Sequence, residues 1–207
     1  MKTLPEVRIG VLAFQGAVSE HLDAVNATLK ELGLRGQAFP VKTREKLEKV
    51  KGLIIPGGES TTIGKLAVRE LADGISEMAA QGKPIMGTCA GMVLMAKEVY
   101  DAKLGKVDQP ILGLMDMRVI RNFFGRQRES FEAPLTIPIL GKEAFPGVFI
   151  RAPVVEKVWG EAEALATYKG KIVAVQQGRL LATAFHPELT RDLRLHKYFV
   201  QMVLEAL

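Results

Sequence analysis

Cys89 is the single cysteine of the 207-residue chain, and its neighbours give it a chemistry. It lies in Gly87-Thr88-Cys89-Ala90-Gly91, after a short apolar run and before a segment with helical spacing. This is the G-x-nucleophile-x-G pattern of a nucleophile elbow, with Cys in place of Ser. A sharp strand-to-helix turn lifts the side chain clear of a sheet, and glycines on either side let the backbone make that turn and pack closely. A helix N-terminus favours negative charge on the sulfur. The Ala90 N–H points to where an oxyanion would form. A lone cysteine is otherwise a small core hydrophobe; the elbow argues for the nucleophile.

A thiol nucleophile needs a base, and the base needs a group that orients it. Three histidines are available. His21 falls within the first predicted helix and His196 within the last, where a surface or helix-packing role is the simpler reading. His186 differs: it ends the apolar run Leu180–Phe185 and opens His186-Pro187-Glu188. Strands of an open α/β sheet present their C-terminal ends to the ligand crevice. In an extended segment positions 186 and 188 project to one side, and Pro187 restricts the backbone between them. Glu188 then reaches the ring of His186 and holds its tautomer. Cys89 and His186 are distant in sequence, so only the fold can join them.

Two further segments suggest ligand contacts. Pro56-Gly57-Gly58-Glu59-Ser60-Thr61-Thr62 follows an apolar strand and precedes a helix. Its glycines free backbone N–H groups to face a ligand, and that of Gly58 is a candidate second oxyanion donor. Ser60 or Thr61 is the expected helix cap. The lysine and spacing of a phosphate-binding P-loop are missing, and Gly10 and Gly16 do not form a dinucleotide fingerprint. Arg121, Arg126 and Arg128 cluster around Asn122-Phe123-Phe124-Gly125, and Arg151 follows Phe149-Ile150. Arginine in a cleft suits bidentate carboxylate binding; a solvated loop is the plainer alternative. Met92 and Met95 read as core packing.

The elements that would position these residues alternate. Strands are expected at Val7–Ala13, Gln37–Val41, Gly52–Pro56 and Pro84–Gly87. Helices are expected at Val18–Leu32, Arg44–Val50, Thr61–Gln81 and Gly91–Tyr100. In the first helix, Leu22, Val25, Leu29 and Leu32 are expected on the buried side. Such alternation means parallel βαβ units with helices on both faces of a sheet. From about Leu112 to Phe185 the pattern changes to short strand-like runs. Turns at Lys169-Gly170 and Gln177-Gly178 suggest antiparallel hairpins added to the sheet edge. Leu193–Leu207 closes the chain as an amphipathic helix. The fold class is α/β: three layers, flavodoxin-like, with a mostly parallel central sheet and antiparallel hairpin additions. No linker or repeat divides it, so residues 1–207 read as one domain.

Composition narrows the partners. One cysteine excludes an internal disulfide framework and a multi-cysteine zinc site; no metal ligand set is read. The net charge is +5, but it is spread along the chain without a basic stripe, so no nucleic-acid partner is expected. Lys42 to Lys51 interleaves Glu45 and Glu48 with lysines, as a solvated helix face does. The longest run without a charged residue, Pro84–Ala96, is 13 residues, short of the roughly 18–20 needed to span a membrane. No apolar signal-peptide core opens the chain. The cytoplasm, where a lone thiol stays reduced, is the expected location.

The elbow GTCAG with the distant His-x-Glu resembles class I glutamine amidotransferases. GVLAFQGAVSEH, LIIPGGESTT, RNFFGRQ, SFEAPL, GVFIRAP and AFHPELT look like the branch that forms the glutaminase subunits of pyridoxal 5′-phosphate synthases, and the likeness runs over essentially the whole chain. It implies hydrolysis of L-glutamine by a triad of Cys89, His186 and Glu188, with Gly58 and Ala90 as oxyanion donors. It implies glutamine contacts from Gly58, Glu59, Ser60, Arg121, Ile150 and Arg151. It implies delivery of ammonia to a separate synthase subunit in a large hetero-oligomer, with Gln15–Glu20 as a candidate docking surface and a peptide flip near Gly57-Gly58 as the response. No cofactor is expected on this chain; pyridoxal phosphate would be a product of the complex. Another amidotransferase subunit, a γ-glutamyl hydrolase, and a non-enzymatic flavodoxin-like binding module are the competing readings.

Overall fold

The structure, a computed structural model, describes residues 6–124 and 130–207. Its first half alternates as β1 (Val7–Leu12), α1 (Val18–Glu31), β2 (Gly36–Val41), α2 (Arg44–Glu48), β3 (Gly52–Ile55), α3 (Ser60–Ala80), β4 (Ile85–Thr88) and α4 (Ala90–Met95). β1 pairs in parallel with β2 and β3, and β3 with β4. Every residue of β3 and β4 is buried, which requires cover on both faces and explains why these runs are apolar without alternation. α2 packs on α3, and α1 on the C-terminal helix α5 (Arg194–Glu205). In α3 the buried positions Ile63, Ala67, Leu71, Ile75 and Met78 recur every three or four residues. Among the described residues no helix is long and apolar enough to cross a membrane.

The second half holds β5 (Ala96–Asp101), β6 (Gly105–Lys106), β7 (Met115–Arg121), β8 (Phe131–Leu135), β9 (Phe145–Phe149), β10 (Val154–Val158), β11 (Glu163–Tyr168), β12 (Lys171–Gln177) and β13 (Leu180–Thr183). The hairpin β11–β12 turns through Lys169 and Gly170, both with positive φ, the twist that a two-residue hairpin favours. The expected hairpins exist, but not as additions to an edge. β13 lies parallel beside β4 and antiparallel beside β12. The sheet therefore runs β2-β1-β3-β4-β13-β12-β10-β7-β5-β6, with β11 on β12. β8 and β9 form a separate antiparallel pair.

Two further expectations of the sequence require correction. The helix predicted over Gly91–Tyr100 ends at Met95, and Ala96–Asp101 is a strand paired in parallel with β7. The segment is buried at Ala96, Val99 and Asp101, and its pairing with β7 overrides its helical appearance. Met92 and Met95 are fully buried. In α1 the buried face is His21, Ala24, Val25, Thr28 and Leu29, while Leu32 is exposed. The apolar stripe is thus rotated from the leucine line, and a histidine opens it.

Candidate active site

Three neighbouring parallel strands, β3, β4 and β13, end at the same level. Ile55 pairs with Gly87, and Thr88 with Thr183. Just beyond these ends lie Gly57-Gly58, Cys89 and His186. This alignment joins residues that are far apart in the chain.

The elbow is strained and pinned. Cys89 has φ 48 and ψ −100, a conformation that costs an L-residue about 1–3 kcal/mol. Its N–H donates to Thr183 O at 2.7 Å, and its carbonyl accepts from Val93 N at 3.2 Å. A side chain at Gly91 would place Cβ 2.1 Å from Ile55 O, so glycine is what lets α4 seat on β3. Gly57 is required for a different reason: its Cβ would fall 2.3 Å from His186 Cε1 and 3.3 Å from Cys89 Cβ.

His186 Nδ1 lies 2.7 Å from Glu188 Oε1. The contact is not made by strand alternation. Pro187–Leu189 is a 3₁₀ turn, with His186 at its N-cap, and the turn folds Glu188 back beneath the ring. Burial opposes a charge on His186, but the neighbouring Cys89 and the hydrogen-bonded Glu188 outweigh it and hold the imidazole well above its ordinary range. Burial likewise pushes the Glu188 carboxyl up, and His21 and His186 together hold it below its usual value. The arrangement favours an imidazolium backed by a carboxylate. The Cys89 Sγ lies 3.8 Å from Ile150 O.

One cavity of about 420 Å³ is lined by Gly58, Glu59, Ser60, Cys89, Ala90, Arg121, Ile150, Arg151 and His186. Glu188 sits behind His186, its side chain wholly shielded. Gln15, Val93, Asn122 and Pro153 also line the cavity. Of these, the sequence offers Gln15 only as part of a docking segment; it follows the C-terminal end of β1, the same end of the sheet. Arg126 and Arg128 lie outside the described residues.

Glu59, rather than Ser60 or Thr61, caps α3. Its carboxylate accepts from Thr61 N at 3.0 Å, Thr62 N at 2.7 Å and Thr62 Oγ1 at 2.7 Å. Its own N–H donates to Gln15 Oε1 at 2.8 Å. Arg121 is held from three sides: Nε donates to Asp101 Oδ2 at 2.9 Å, and Nη1 to Gln109 Oε1 at 2.7 Å and Thr61 Oγ1 at 3.1 Å. Among the described residues Nη2 makes no such bond. Asp101 is almost fully buried and also accepts from Asn122 Nδ2 and Lys103 N, each at 2.9 Å. Burial would raise its carboxyl, but these donors outweigh it and bring it down to about 2.

The chain matches the SNO glutamine amidotransferase family over residues 11–205. It belongs to that family. A relative from Moorella thermoacetica, named pyridoxal 5′-phosphate synthase subunit PdxT, is 55% identical over 198 residues, covering 95% of this chain and all of the relative. A PdxT of Metallosphaera sedula is 50% identical over 200 residues, covering 95% and 99%. A crystal structure described as a glutamine amidotransferase superposes with a TM-score of 0.82 at 46% identity, covering 94% of this chain and 98% of the other. A glutamine amidotransferase from Thermotoga maritima, at 13% identity and a TM-score of 0.61 over 98% of this chain and 95% of the other, shares the fold. The glutamine amidotransferase fold thus accounts for the parallel core with its inserted antiparallel strands.

Proposed function

We propose that this SNO-family chain is the glutaminase subunit of a pyridoxal 5′-phosphate synthase, hydrolysing L-glutamine to L-glutamate and ammonia for a separate synthase subunit. One observation carries the reading: Cys89 and His186, backed by Glu188, meet at one cavity in a chain whose relatives along nearly its full length are named as subunits of that synthase.

The chemistry follows from the positions. The Cys89 thiolate attacks the side-chain amide carbon of glutamine, and the carbonyl oxygen takes the negative charge. Ala90 is the first residue of α4, so its N–H has no helical partner and is free to bind that oxyanion. The Gly57 carbonyl accepts from Ala17 N at 3.0 Å. In a planar trans peptide the Gly58 N–H then points the opposite way, which supports it as the second donor. The His186 imidazolium gives its proton to the leaving nitrogen, and ammonia departs. It then takes a proton from water, whose oxygen attacks the thioester to release glutamate and restore the thiolate–imidazolium pair. Glu188 supports the imidazolium throughout.

The surrounding residues support further roles. Ser60, Ile150 and Arg151 border the glutamine, while the Glu59 carboxylate is committed to α3 and its N–H to Gln15, so Glu59 contributes by holding the loop in shape. The Nε side of Arg121 is taken by Asp101, so Nη2 is the edge offered to the α-carboxylate. Asp101→Asn puts an amide against the guanidinium and loosens it. The KM for glutamine is expected to rise about tenfold with kcat within about threefold, measured at saturating synthase. Thermal melts add a second readout. The depressed carboxyl contributes stability above its unfolded value of 3.8 and loses it as the pH falls through about 2, so the variant should melt lower than the parent at neutral pH and no lower at the acid end.

Ammonia is largely protonated at neutral pH and is then no nucleophile, which favours a docked synthase with a sheltered passage. Gln15 and Ala17 grip the Gly57–Glu59 loop, so a partner seated on Gln15–Glu20 would act directly on the Gly58 donor. A reduced lone thiol suits the cytoplasm. Titrating the chain with its cognate synthase while measuring ammonia tests the proposal. Hydrolysis is expected to rise with synthase until the subunits are matched. Equal turnover with and without it would remove the docking step, and no hydrolysis in either case would remove the glutaminase.

A further inference from the structure

Behind the site lie two histidines that the mechanism above does not use. His21 on α1 and His196 on α5 are fully buried, and His21 Nδ1 is 3.3 Å from His196 Nε2. On its other side, His21 Nε2 is 3.0 Å from Thr88 Oγ1 and 3.4 Å from Glu188 Oε2. Thr88 precedes the nucleophile, and Glu188 bonds the base. A continuous buried line therefore runs His196–His21–Glu188–His186–Cys89.

The proton positions along this line can be deduced. Burial, ahead of every other influence, pushes both His21 and His196 down, the latter to about 3, so each ring is neutral and carries one N–H. Among the described residues, His196 Nδ1 has no hydrogen-bond partner, and Glu188 Oε2 makes no well-formed hydrogen bond. Suppose His21 carried its proton on Nδ1. It would donate to His196 Nε2, which forces the His196 proton onto Nδ1, a buried N–H with no acceptor. The His21 Nε2 lone pair would also face the Glu188 carboxylate. Orphaned buried N–H groups are rare and costly. With the proton on Nε2 both problems vanish. His196 Nε2–H donates to His21 Nδ1, and His21 Nε2–H points at Thr88 Oγ1 and Glu188 Oε2.

We propose that His21, fixed in its Nε2–H tautomer by His196, is a positioning residue that points its Nε2–H at Glu188 Oε2 and keeps that carboxylate aligned behind His186. The role rests on the glutaminase reading above. Among the described residues the only other support is the backbone N–H of Glu188 itself. The carboxylate is shielded from solvent, and a buried anion with one oxygen unsupported drifts toward protonation or turns away from the imidazole. The groups facing it are His186 through Oε1 and His21 through Oε2, with His196 behind His21, Cys89 beyond His186, and Glu20 acting on His21 from α1.

The test has two arms. The first is ¹⁵N NMR of the full chain, where three histidines give six ring nitrogens to assign. Neutral Nε2–H tautomers are expected for His21 and His196 between pH 6 and 8; a proton on His21 Nδ1 overturns the proposal. The second arm is glutaminase kinetics with saturating synthase. His21→Leu is expected to lower kcat/KM by about tenfold to a hundredfold, mostly in kcat. The acid limb of its pH profile should move toward neutrality, because a carboxylate without its donor protonates at higher pH. His21→Gln keeps an N–H near the Nε2 position and should restore most of the rate and the limb. A Leu variant with the parental rate and limb, or a Gln variant as impaired as Leu, overturns the proposal. If the Leu variant does not fold, the Gln variant and the tautomers still decide. If the parent itself hydrolyses no glutamine, the functional reading fails and the NMR arm still judges the buried line.

Discussion

Changing Cys89→Ala is expected to abolish glutamine hydrolysis, with a loss of at least about 10⁴-fold, because members of a nucleophile–base unit are not replaced by the remainder. Alanine is the informative substitution. It keeps a Cβ in the positive-φ elbow, so the backbone strain, the Thr183 and Val93 bonds and the seat of α4 on β3 are retained, and only the sulfur goes. Cys89 is buried but borders the cavity, so the variant should melt within a few degrees of the parent. Its affinity for glutamine, read by calorimetry in the presence of synthase, should change little. Ammonia release is the deciding measurement. A variant that retained more than about a hundredth of the parental rate would place the nucleophile elsewhere, since no ordinary weakening of a bystander leaves a thiol-dependent reaction that active.

The site is legible in the sequence where its geometry is local. Gly87-x-Cys89-x-Gly91 states its own turn, and the apolar runs of β3, β4 and β13 state which strand ends lie at the crevice. His186-Pro187-Glu188 is legible as a pair but not in its conformation, because an X-Pro step is compatible with both an extended segment and a 3₁₀ turn. Glu59 as a cap is hidden for a related reason: serine and threonine are the commoner caps and stand directly beside it. The strand at Ala96–Asp101 depends on β7, a partner some twenty residues away that no local pattern reveals. His21 and His196 do carry a usable signal, beneath the plainer helix-packing one. His21 recurs with Val25, Thr28 and Leu29, and His196 with Phe199, Val200 and Val203, so each stands at a core position of its helix. A histidine in a core stripe needs a polar partner inside the protein; here the two rings partner each other, and His21 reaches on to Thr88 beside the Glu188 carboxylate.

That same network makes Glu188→Gln more damaging than the loss of one charge. In the parent, Oε1 accepts from His186 Nδ1 and Oε2 faces His21 Nε2. A glutamine must put its amide nitrogen on one side. If nitrogen faces His186, the ring is driven to the Nε2–H tautomer and has no lone pair for the Cys89 proton. If nitrogen faces His21, two N–H groups oppose each other, and relieving them moves the His21 proton to Nδ1 and leaves His196 with a buried, unanswered N–H. Neither orientation supports an imidazolium. The expected loss in kcat is about 10⁴-fold, the scale seen when an orienting carboxylate becomes an amide in a comparable triad, with KM changed far less. Sign and pH follow together. In the parent the depressed carboxyl keeps its charge until the solution is well into the acid range, so activity is lost only as the pH falls through that low value. In the Gln variant no such group titrates, and the residual rate should carry no acid limb from position 188. Measuring kcat for both proteins from below the ordinary carboxylate range up to pH 9, with synthase saturating, checks both statements. A residual rate within about tenfold of the parent would mean that His186 is held by its surroundings rather than by Glu188.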